Sequence, residues 1–420
     1  MLINMARLAA VISVIVVVVA SVVGFGRGRN VGTLEWDSSK GYLLYCPCSG
    51  RFSGQVEQLL NALQFAKALG RILVAPSFIN YPCGRKDTHS HFGVQVPVHM
   101  DRNAYVQVDE YFELDEIKKY YPDVITMDDF MTELAPLYWK EGNRVAYCAG
   151  GLADNNDGKC TREGNPFSTF WQDQGIEFDD SAVWRNLHFN VQYGDAAKQW
   201  KTEYPALEHP VIALVTAPTV SPIAKDVEGL QHFLKFKSHI ADPADVFIEN
   251  NLQKPFWGLH LRNGADWSRT CDLLSSGDYP HLLSSRQCTS EVGDSVTREM
   301  CIQSEEQVIS DIRYQLQLAE EDNRELPKSI FVATDHVAME DDLQSAFPDI
   351  KIVTWAPDLD QMDMYVLTKA DDVILNCVSA FSAYVKRDRD VNERPVAFFG
   401  YLGPHKVLPK VKRSPPHEEL

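Results

Sequence analysis

The residues best suited to binding an anion lie in the stretch 256–267. Its first half alternates apolar residues with other types, as in a strand with one buried face, so the opposite face carries His260 and Arg262 together. An Asn-Gly turn at 263–264 leaves Arg262 at the strand's carboxyl end, where open α/β sheets bind ligands. The guanidinium is always charged and matches phosphate oxygens, so we expect an anion. From this stretch alone, a surface arginine beside a structural histidine explains the pattern equally well. The apolar residues of the strand are Trp257, Leu259 and Leu261.

Two other predicted strand ends carry polar groups that should converge with Arg262. One is the pair Thr334-Asp335, and the other is the loop 376–382, where small and hydroxyl residues join a strand to a helix. Such a loop favours phosphate binding, although ordinary N-capping by Ser379 explains it as well. Asp363, in a predicted helix, would need to face the cleft to bind a ligand.

A third turn, 47–54, contains two glycines between a predicted strand and a predicted helix, a geometry that can hold an anion. It fits no strict dinucleotide motif, so a plain βα loop remains the alternative. The Asp-x-Asp pairs at 358–360 and 388–390 are formally metal-binding, but neither ends a strand. We interpret both as surface charge. Since Arg262 can neutralise a diphosphate, a metal is not required.

The elements that would position these residues alternate between strand and helix, which predicts parallel, doubly wound sheets. Two Rossmann-like domains facing each other across a cleft fit this pattern, at 35–235 and 236–405. The stretch 76–208 is predicted to form long, disulfide-tied loops around the cleft. Predicted strands are 41–46, 71–75, 209–217, 257–262, 329–334, 351–355, 372–376 and 396–399; predicted helices are 55–69, 230–239, 305–320, 337–347, 361–369 and 380–389.

Composition limits the classes of partner and the compartment. The 420 residues carry a net charge of −18, which argues against a general nucleic-acid or anionic-membrane partner. The apolar run at 8–23 predicts a secretory signal within 1–28, with an uncleaved anchor still open. The tail 406–420 ends in His-Glu-Glu-Leu, similar to a retrieval signal, so we expect the lumen of the endoplasmic reticulum. Nine cysteines should there be mostly paired, leaving a free thiol for which Cys83 is the candidate.

Three ordered motifs resemble the GDP-fucose protein O-fucosyltransferase family, in particular the type 1 peptide-O-fucosyltransferases that act on EGF-like repeats. The likeness runs from about residue 41 to residue 400. The motifs are Tyr-Cys-Pro-Cys-Ser-Gly-Arg-Phe at 45–52, His-Leu-Arg-x-Gly-x-Asp-Trp at 260–267 and Asn-Cys-Val-Ser-x-Phe at 376–381, followed by Val-Lys-Arg at 385–387.

The resemblance implies a GT-B fold, with the acceptor on the N-terminal domain and GDP-fucose on the C-terminal domain. It implies inverting, metal-independent transfer of fucose to Ser or Thr of folded EGF-like repeats such as those of Notch. Arg262 would be catalytic, because it stabilises charge on the β-phosphate; Asp266 and Ser379 are further candidates. The implied donor contacts are Arg51, Phe52, Ser53, Gly54, His260, Leu261, Arg262, Asp363, Ala380 and Phe381. The implied disulfides are Cys46–Cys48, Cys148–Cys160, Cys271–Cys301 and Cys288–Cys377, which leaves Cys83 unpaired.

This chain departs from the family where the reaction is expected. The family's Gly-Arg-Phe-Gly-Asn-Gln is Gly-Arg-Phe-Ser-Gly-Gln at 50–55, so Gly54 replaces an asparagine near the reacting hydroxyl. Ala380 replaces the usual serine, and a backbone contact would survive that change. Loss of the amide motivates an alternative hypothesis, a catalytically weak binding protein or chaperone for EGF-repeat proteins. An enzyme for thrombospondin repeats is a third option, disfavoured by the first two motifs.

Overall fold

The computed structural model describes residues 34–400 except 49, 81–87, 92–93, 98–103, 155–156, 161–169, 193, 221–222, 277–282 and 290–294. The predicted signal segment, the free thiol of Cys83 and the retrieval-like tail lie outside the described residues. A compact unit begins at Asp37 and contains two parallel β-sheets. No helix in the described part of the chain is both long enough and apolar enough to cross a membrane.

The first sheet has six parallel strands in the order β7-β2-β1-β10-β8-β9. The last strand of this sheet in chain order, β10, inserts beside β1, so a ligand crevice opens between the carboxyl ends of these two neighbours. Antiparallel pairs β3-β6 and β4-β5 lie outside this sheet. The strands are β1 (Tyr42–Tyr45), β2 (Ile72–Ala75), β3 (Phe78–Ile79), β4 (Thr88–His91), β5 (Val94–Pro97), β6 (Tyr105–Val106), β7 (Val124–Thr126), β8 (Val145–Ala149), β9 (Asp180–Trp184) and β10 (Val211–Leu214).

The longest helix of this half, α1, directly follows the turn predicted to hold an anion. Its apolar residues recur at helical spacing and are buried, and it ends at Gly70, whose φ of 69° suits glycine. It begins at Phe52 rather than at the predicted residue 55, so Ser53 and Gly54 are helical. The helices are α1 (Phe52–Leu69), α2 (Val108–Tyr111), α3 (Leu114–Tyr120), α4 (Met127–Asp129), α5 (Ala135–Tyr138), α6 (Phe170–Asp173), α7 (Ala196–Glu203) and α8 (Lys225–Glu228).

The second sheet has five parallel strands in the order β13-β12-β11-β14-β15. The chain moves from β11 to β12 on one side and later returns to β14 on the other, so a crevice opens between the ends of β11 and β14. The elements are α9 (Ser238–Asn251), β11 (Phe256–Leu261), α10 (Ala265–Asp272), α11 (Arg298–Cys301), α12 (Glu305–Glu321), β12 (Ser329–Thr334), α13 (Glu340–Ala346), β13 (Lys351–Thr354), α14 (Asp360–Lys369), β14 (Asp372–Leu375), α15 (Ala380–Val391) and β15 (Ala397–Phe398).

The central strand β11 is buried on both faces, so the expectation of a single buried face was wrong. One face packs on α12, and Gly258 on the other face lies against α14. A Cβ at Gly258 would come within 2.6 Å of Leu367, so glycine allows this close approach. Parallel sheets carry helices on both faces, which explains why a strand with mixed residue types is fully enclosed.

Two predictions between the sheets were wrong. The stretch 76–208, predicted as loops, contributes the short parallel strands β7, β8 and β9 to the first sheet. The predicted helix at 230–239 is instead a 3₁₀ turn, Gly229–Phe233, followed by α9, which begins at Ser238. The other predicted elements are confirmed, with ends that differ by up to three residues.

Arg389 corrects the interpretation of 388–390 as surface charge. Its side chain is fully buried and donates to the carbonyls of Ala370, Asp371 and Pro395 at 2.7, 2.8 and 2.9 Å. Two of these carbonyls, those of Ala370 and Asp371, lie just after α14, where a helix leaves its last acceptors unpaired. Burial also raises the pKa of the neighbouring Asp388.

Four disulfides are present, in the pairs that the resemblance implies. Two of them connect to the second sheet's carboxyl edge. Cys271–Cys301 closes the excursion between β11 and β12, and Cys288–Cys377 ties that excursion to the loop after β14. This excursion is thereby attached to the crevice between β11 and β14.

Candidate active site

Arg262 lies directly after β11 and is held by two carboxylates and an aromatic ring. Its Nη2 donates to Asp266 Oδ2 at 2.8 Å, and its Nη1 pairs with Asp335. The guanidinium carbon lies 4.6 Å from the centre of the Trp267 ring. The side chain is only 14% exposed. These contacts create a fixed cation at the carboxyl end of the central strand before any ligand binds.

The turn after Arg262 is joined to the end of β12. Asp335 Oδ1 accepts hydrogen bonds from the backbone N–H groups of Asn263 and Gly264, at 3.0 and 3.3 Å. Thr334 Oγ1 donates to Asn263 Oδ1 at 3.1 Å. The structure thus brings together Arg262 and the pair Thr334-Asp335, as expected from their strand ends. The sequence reasoning did not identify Asp335 as the partner of Arg262.

Gly264 allows the side chains of Arg262, Asp266 and Asp335 to approach one another. A Cβ there would lie 2.8 Å from Arg262 Nη1 and 3.0 Å from Asp266 Oδ1, and closer still to Asp335 Oδ2. We expect Gly264→Ala to displace the guanidinium and to lower kcat/KM by up to about 100-fold, the usual penalty for an ångström-scale displacement. Steady-state kinetics tests this. Gly229→Ala is the matched control, because a Cβ there meets nothing within 4 Å; equal kinetics for both variants would contradict the prediction.

His260 is a buried, neutral hydrogen-bonding group. It is 3% exposed, its ring stacks on Phe381 with centres 4.4 Å apart, and its Nδ1 lies 2.7 Å from Ser382 Oγ. Burial, and secondarily the charge of Arg262, lowers the pKa of His260 to about 3. It therefore does not supply a positive charge at physiological pH. The neighbouring Leu261 side chain is buried in the core, which leaves its backbone for any ligand contact.

Asn376 organises the loop after β14. Its Oδ1 accepts from the backbone N–H groups of Val378 and Ser379 at 3.0 and 3.1 Å, and its Nδ2 donates to the Cys301 carbonyl at 2.7 Å. Trp267 Nε1 donates to the same carbonyl at 2.8 Å. One backbone oxygen therefore connects this loop to the ring beneath the Arg262 guanidinium.

The loop ends at the N-terminus of α15. Ser379 occupies the N-cap position, but its side chain makes no capping hydrogen bond, so the N-capping interpretation was wrong. The helix's first turn presents backbone N–H groups, including those of Ala380 and Phe381, that have no carbonyl partner within the helix. A helix N-terminus of this kind, at a crevice between two strand ends, favours an anion.

Gln287 supports the backbone of this loop, and no sequence pattern indicated that role. Its Nε2 donates to the carbonyls of Cys377 and Ser379 at 2.7 and 3.1 Å. The adjacent Cys288 forms the disulfide with Cys377. The loop's backbone is thus held by contacts from a segment about 90 residues away in the chain.

Asp363 is half-buried, and its buried Oδ1 remains available as an acceptor. It lies in the first turn of α14, and helices of a parallel sheet begin at its carboxyl edge. Among the residues that the structure describes, no donor bonds to its Oδ1. Burial, and secondarily the charge of Asp360, raises the pKa of Asp363 to about 8. An unpartnered buried carboxyl group is costly and suits a ligand that brings its own donors.

The first turn of α1 lies beside α15. The Phe52 ring packs 4.8 Å from that of Tyr111 and 6.1 Å from that of Tyr384 on α15, centre to centre, so much of this side chain serves packing. Ser53 is buried and Gly54 is half-buried, whereas Arg51, at the N-cap position, is exposed and forms no ion pair with the carboxylates described here.

Gln55, which the sequence reasoning missed, fixes the same turn. Its Oε1 accepts from Ile79 N–H at 2.7 Å, and its Nε2 donates to the Ile79 carbonyl at 2.9 Å. A second contact lies two residues further along α1, where Glu57 pairs with Arg387 of α15. The two sequence motifs that contain Arg51 and Phe381 are therefore brought together by the helices that follow them.

Comparison with known proteins agrees with this geometry. Residues 42–392 match the model of the GDP-fucose protein O-fucosyltransferase family. GDP-fucose protein O-fucosyltransferase 1 of Caenorhabditis elegans is 33% identical over 375 residues, which cover 86% of this chain and 90% of that protein. The crystal structure of POFUT1 with GDP-fucose superposes with a TM-score of 0.75 at 32% identity, covering 87% of this chain and 100% of that one. Its apo form gives 0.74 at 31% identity over 88% and 100%. These neighbours are of the GT-B type, which confirms the predicted fold class.

Proposed function

The chain belongs to the GDP-fucose protein O-fucosyltransferase family and transfers fucose from GDP-fucose; from this premise we propose that its acceptors are Ser and Thr hydroxyls of folded EGF-like repeats, such as those of Notch receptors, and that transfer inverts the sugar carbon. The observation that carries the proposal is the fixed Arg262 cation beside the N-terminus of α15. The first-turn motif, through which the chain resembles enzymes acting on EGF-like repeats, adjoins the same helix.

The diphosphate of GDP-fucose binds between Arg262 and the first N–H groups of α15, those of Ala380 and Phe381, with His260 as a neutral partner. As the bond between fucose and phosphate breaks, negative charge builds on the β-phosphate. Arg262 stabilises that charge, and its fixed position avoids reorganisation during the reaction. Since a cation and a helix N-terminus supply the charge, we propose that no metal is required. Turnover that survives removal of divalent cations by EDTA is the expected result.

The guanine base binds to Asp363. Its N1–H and N2 amino groups are two donors on one edge, and an ionised carboxylate accepts both. The unpartnered Oδ1 of Asp363 at the carboxyl edge of the second sheet supports this assignment. The ionised form is needed, because a protonated carboxyl group retains only part of its acceptor capacity.

GDP-fucose should therefore bind more tightly as pH rises. With the pKa of Asp363 raised to about 8 in the empty site, binding below that pH must first release a proton. The dissociation constant should fall by up to about tenfold per unit between about pH 6.5 and 8, then level off. Calorimetry with GDP-fucose alone measures this. Asp363→Asn should abolish the slope, and Asp360→Asn should keep the slope but move it to lower pH. A constant affinity in the unmodified protein would contradict the assignment.

The other proposals concern the roles of the two domains and the compartment of the protein. We propose that the domain 35–235 receives the acceptor, with Arg51, Phe52, Ser53 and Gly54 at its edge facing the donor, and that the domain 236–405 holds GDP-fucose. We also propose the endoplasmic reticulum lumen as its compartment. Four disulfides suit an oxidising compartment, and the apolar run at 8–23 is typical of secretory proteins.

Release of GDP from GDP-fucose, measured with and without a folded EGF-like repeat, tests the proposed acceptor. We expect release that depends on the repeat, together with a mass increase of one fucose on the repeat. The same repeat, reduced and alkylated, is the matched control and should be inert, since the acceptor is the folded module. The proposal would be overturned if no folded EGF-like repeat supported turnover, or if the unfolded repeat supported equal turnover.

A further inference from the structure

Ser382 directly follows Phe381 in α15, lies beside His260 and makes two hydrogen bonds. Its Oγ accepts from the backbone N–H of Asn376 at 3.0 Å and lies 2.7 Å from His260 Nδ1. The Ser382 side chain is completely buried, so water does not compete for these bonds. Whether the hydroxyl donates to the imidazole or accepts from it decides which ring nitrogen of His260 carries the proton.

The hydroxyl hydrogen has one available acceptor. Ser382 Oγ already receives the Asn376 N–H, and His260 Nδ1 is the acceptor within hydrogen-bonding distance of it among the described residues. If Nδ1 carried a proton, the oxygen would face two donors and its own hydrogen would be left buried without a partner, which is costly. The imidazole itself is neutral at physiological pH because of its burial.

We propose that Ser382 is a positioning residue that donates to Nδ1, holds His260 in the Nε2–H tautomer and thereby makes it a permanent N–H donor to the diphosphate of GDP-fucose. The inference rests on the proposed function, because it places the diphosphate beside His260. In the part of the chain that the structure describes, His260 Nε2 has no hydrogen-bond partner, which leaves its hydrogen for a ligand. The opposite tautomer would present a lone pair to an anion.

The fixed tautomer explains how a neutral histidine can contribute beside Arg262. Protonation of His260 would add a second buried charge next to the guanidinium, which burial and Arg262 both oppose. A neutral ring with its hydrogen on Nε2 binds the anion without that charge. The Phe381 ring, stacked at 25° to the imidazole, and the Ser382 hydroxyl then fix the direction of the N–H bond.

The tautomer can be measured directly by ¹⁵N NMR on protein labelled at histidine. The signals of His260 are assigned by their loss in His260→Gln. In the unmodified protein we expect Nδ1 to be the nitrogen without a hydrogen and Nε2 to carry it. A hydrogen on Nδ1 would overturn the proposal, whatever ligand the protein binds. If the tautomer is as expected but the protein binds neither GDP nor GDP-fucose, the proposed function fails and the role of Ser382 toward the diphosphate fails with it.

Two isosteric variants separate the hydroxyl from the space it fills. Ser382→Thr keeps the hydroxyl and adds a methyl group. Ser382→Val has nearly the same shape as the Thr variant but lacks the hydroxyl, so the two variants share any steric effect. We expect Thr to keep the tautomer and to bind GDP within about threefold of the unmodified protein, and Val to mix tautomers and bind about tenfold more weakly. The loss should appear in KM rather than in kcat, because the bond exists in both substrate and product complexes. Equal affinity of the Thr and Val variants would overturn the proposal; if Val does not fold, Ser382→Ala takes its place.

Discussion

Replacing Arg262 with alanine should lower kcat for fucose transfer by about 10²–10³-fold, as does removal of other preorganised groups that stabilise charge in a transition state. The loss has two causes. The developing charge on the β-phosphate loses its fixed cation, and Asp266 and Asp335 are left facing the diphosphate with no neutralising partner. KM for GDP-fucose should therefore rise as well. Initial rates at saturating EGF-like repeat measure both effects.

Two further substitutions sharpen this test. Arg262→Lys keeps the charge but cannot reach both carboxylates with a planar fork, so its activity should lie between those of alanine and arginine. Arg298→Ala is the control, because Arg298 pairs with Asp272 in the same excursion but is 46% exposed and outside the site. If Arg262→Ala retained more than a tenth of the activity, Arg262 would not be the group that stabilises the leaving diphosphate.

Introducing asparagine at Gly54 should raise the transfer rate, by up to about 10²–10³-fold if the missing amide is not replaced by another group. Gly54 is the third residue of α1, within the first turn beside α15, and its backbone φ is not positive. Asparagine adopts this backbone conformation without strain, and its amide would lie in the first turn of α1. The measurement is repeat-dependent GDP release by the two proteins in parallel.

Gly54→Ala separates the amide from the backbone. Alanine stabilises a helix relative to glycine by about 1 kcal/mol, as asparagine does in part, but offers no hydrogen bond. We expect Gly54→Ala to melt at a higher temperature with unchanged turnover. If the unmodified protein is silent and only Gly54→Asn is active, the chain is a binding protein that has kept the fold and lost the reaction. An unchanged rate in Gly54→Asn would mean that the family's amide is dispensable here.

The second sheet could be predicted from the sequence because its strands are rich in apolar residues and four of the five, β11 to β14, are each followed by a helix. The first sheet could be predicted only at β1, β2 and β10. Strands β7, β8 and β9 have three to five residues and lie among aromatic residues and disulfide-linked loops, so local periodicity is too short to identify them. The insertion of β10 beside β1 is a long-range choice that no local pattern records.

The site shows the same limit. Arg262, His260 and the loop after β14 were recognised because strand ends and residue types mark them. Asp335 was expected near Arg262, but its pairing with the guanidinium and the supporting roles of Gln287 and Ser382 were not predicted, because they arise from contacts between segments far apart in the chain. Such contacts depend on tertiary packing. The pairing of Arg262 with Asp266 spans only four residues, yet it was not predicted either, because Arg262 precedes the helix that contains Asp266.

The carbonyl of Cys301 accepts hydrogen bonds from both Asn376 and Trp267, so it sets the distance between the loop after β14 and the ring beneath Arg262. The excursion that carries it has no strand of its own among its described residues. Its final helix, α11, nevertheless fixes the spacing between Arg262 and the loop after β14. In evolution, or in engineering, the parts of this excursion between its disulfide-bonded cysteines can change length at small entropic cost, whereas Gln287-Cys288 and the junction at Cys271–Cys301 cannot shift without displacing the loop after β14 from Arg262. Tolerance to insertion should therefore end abruptly at α11.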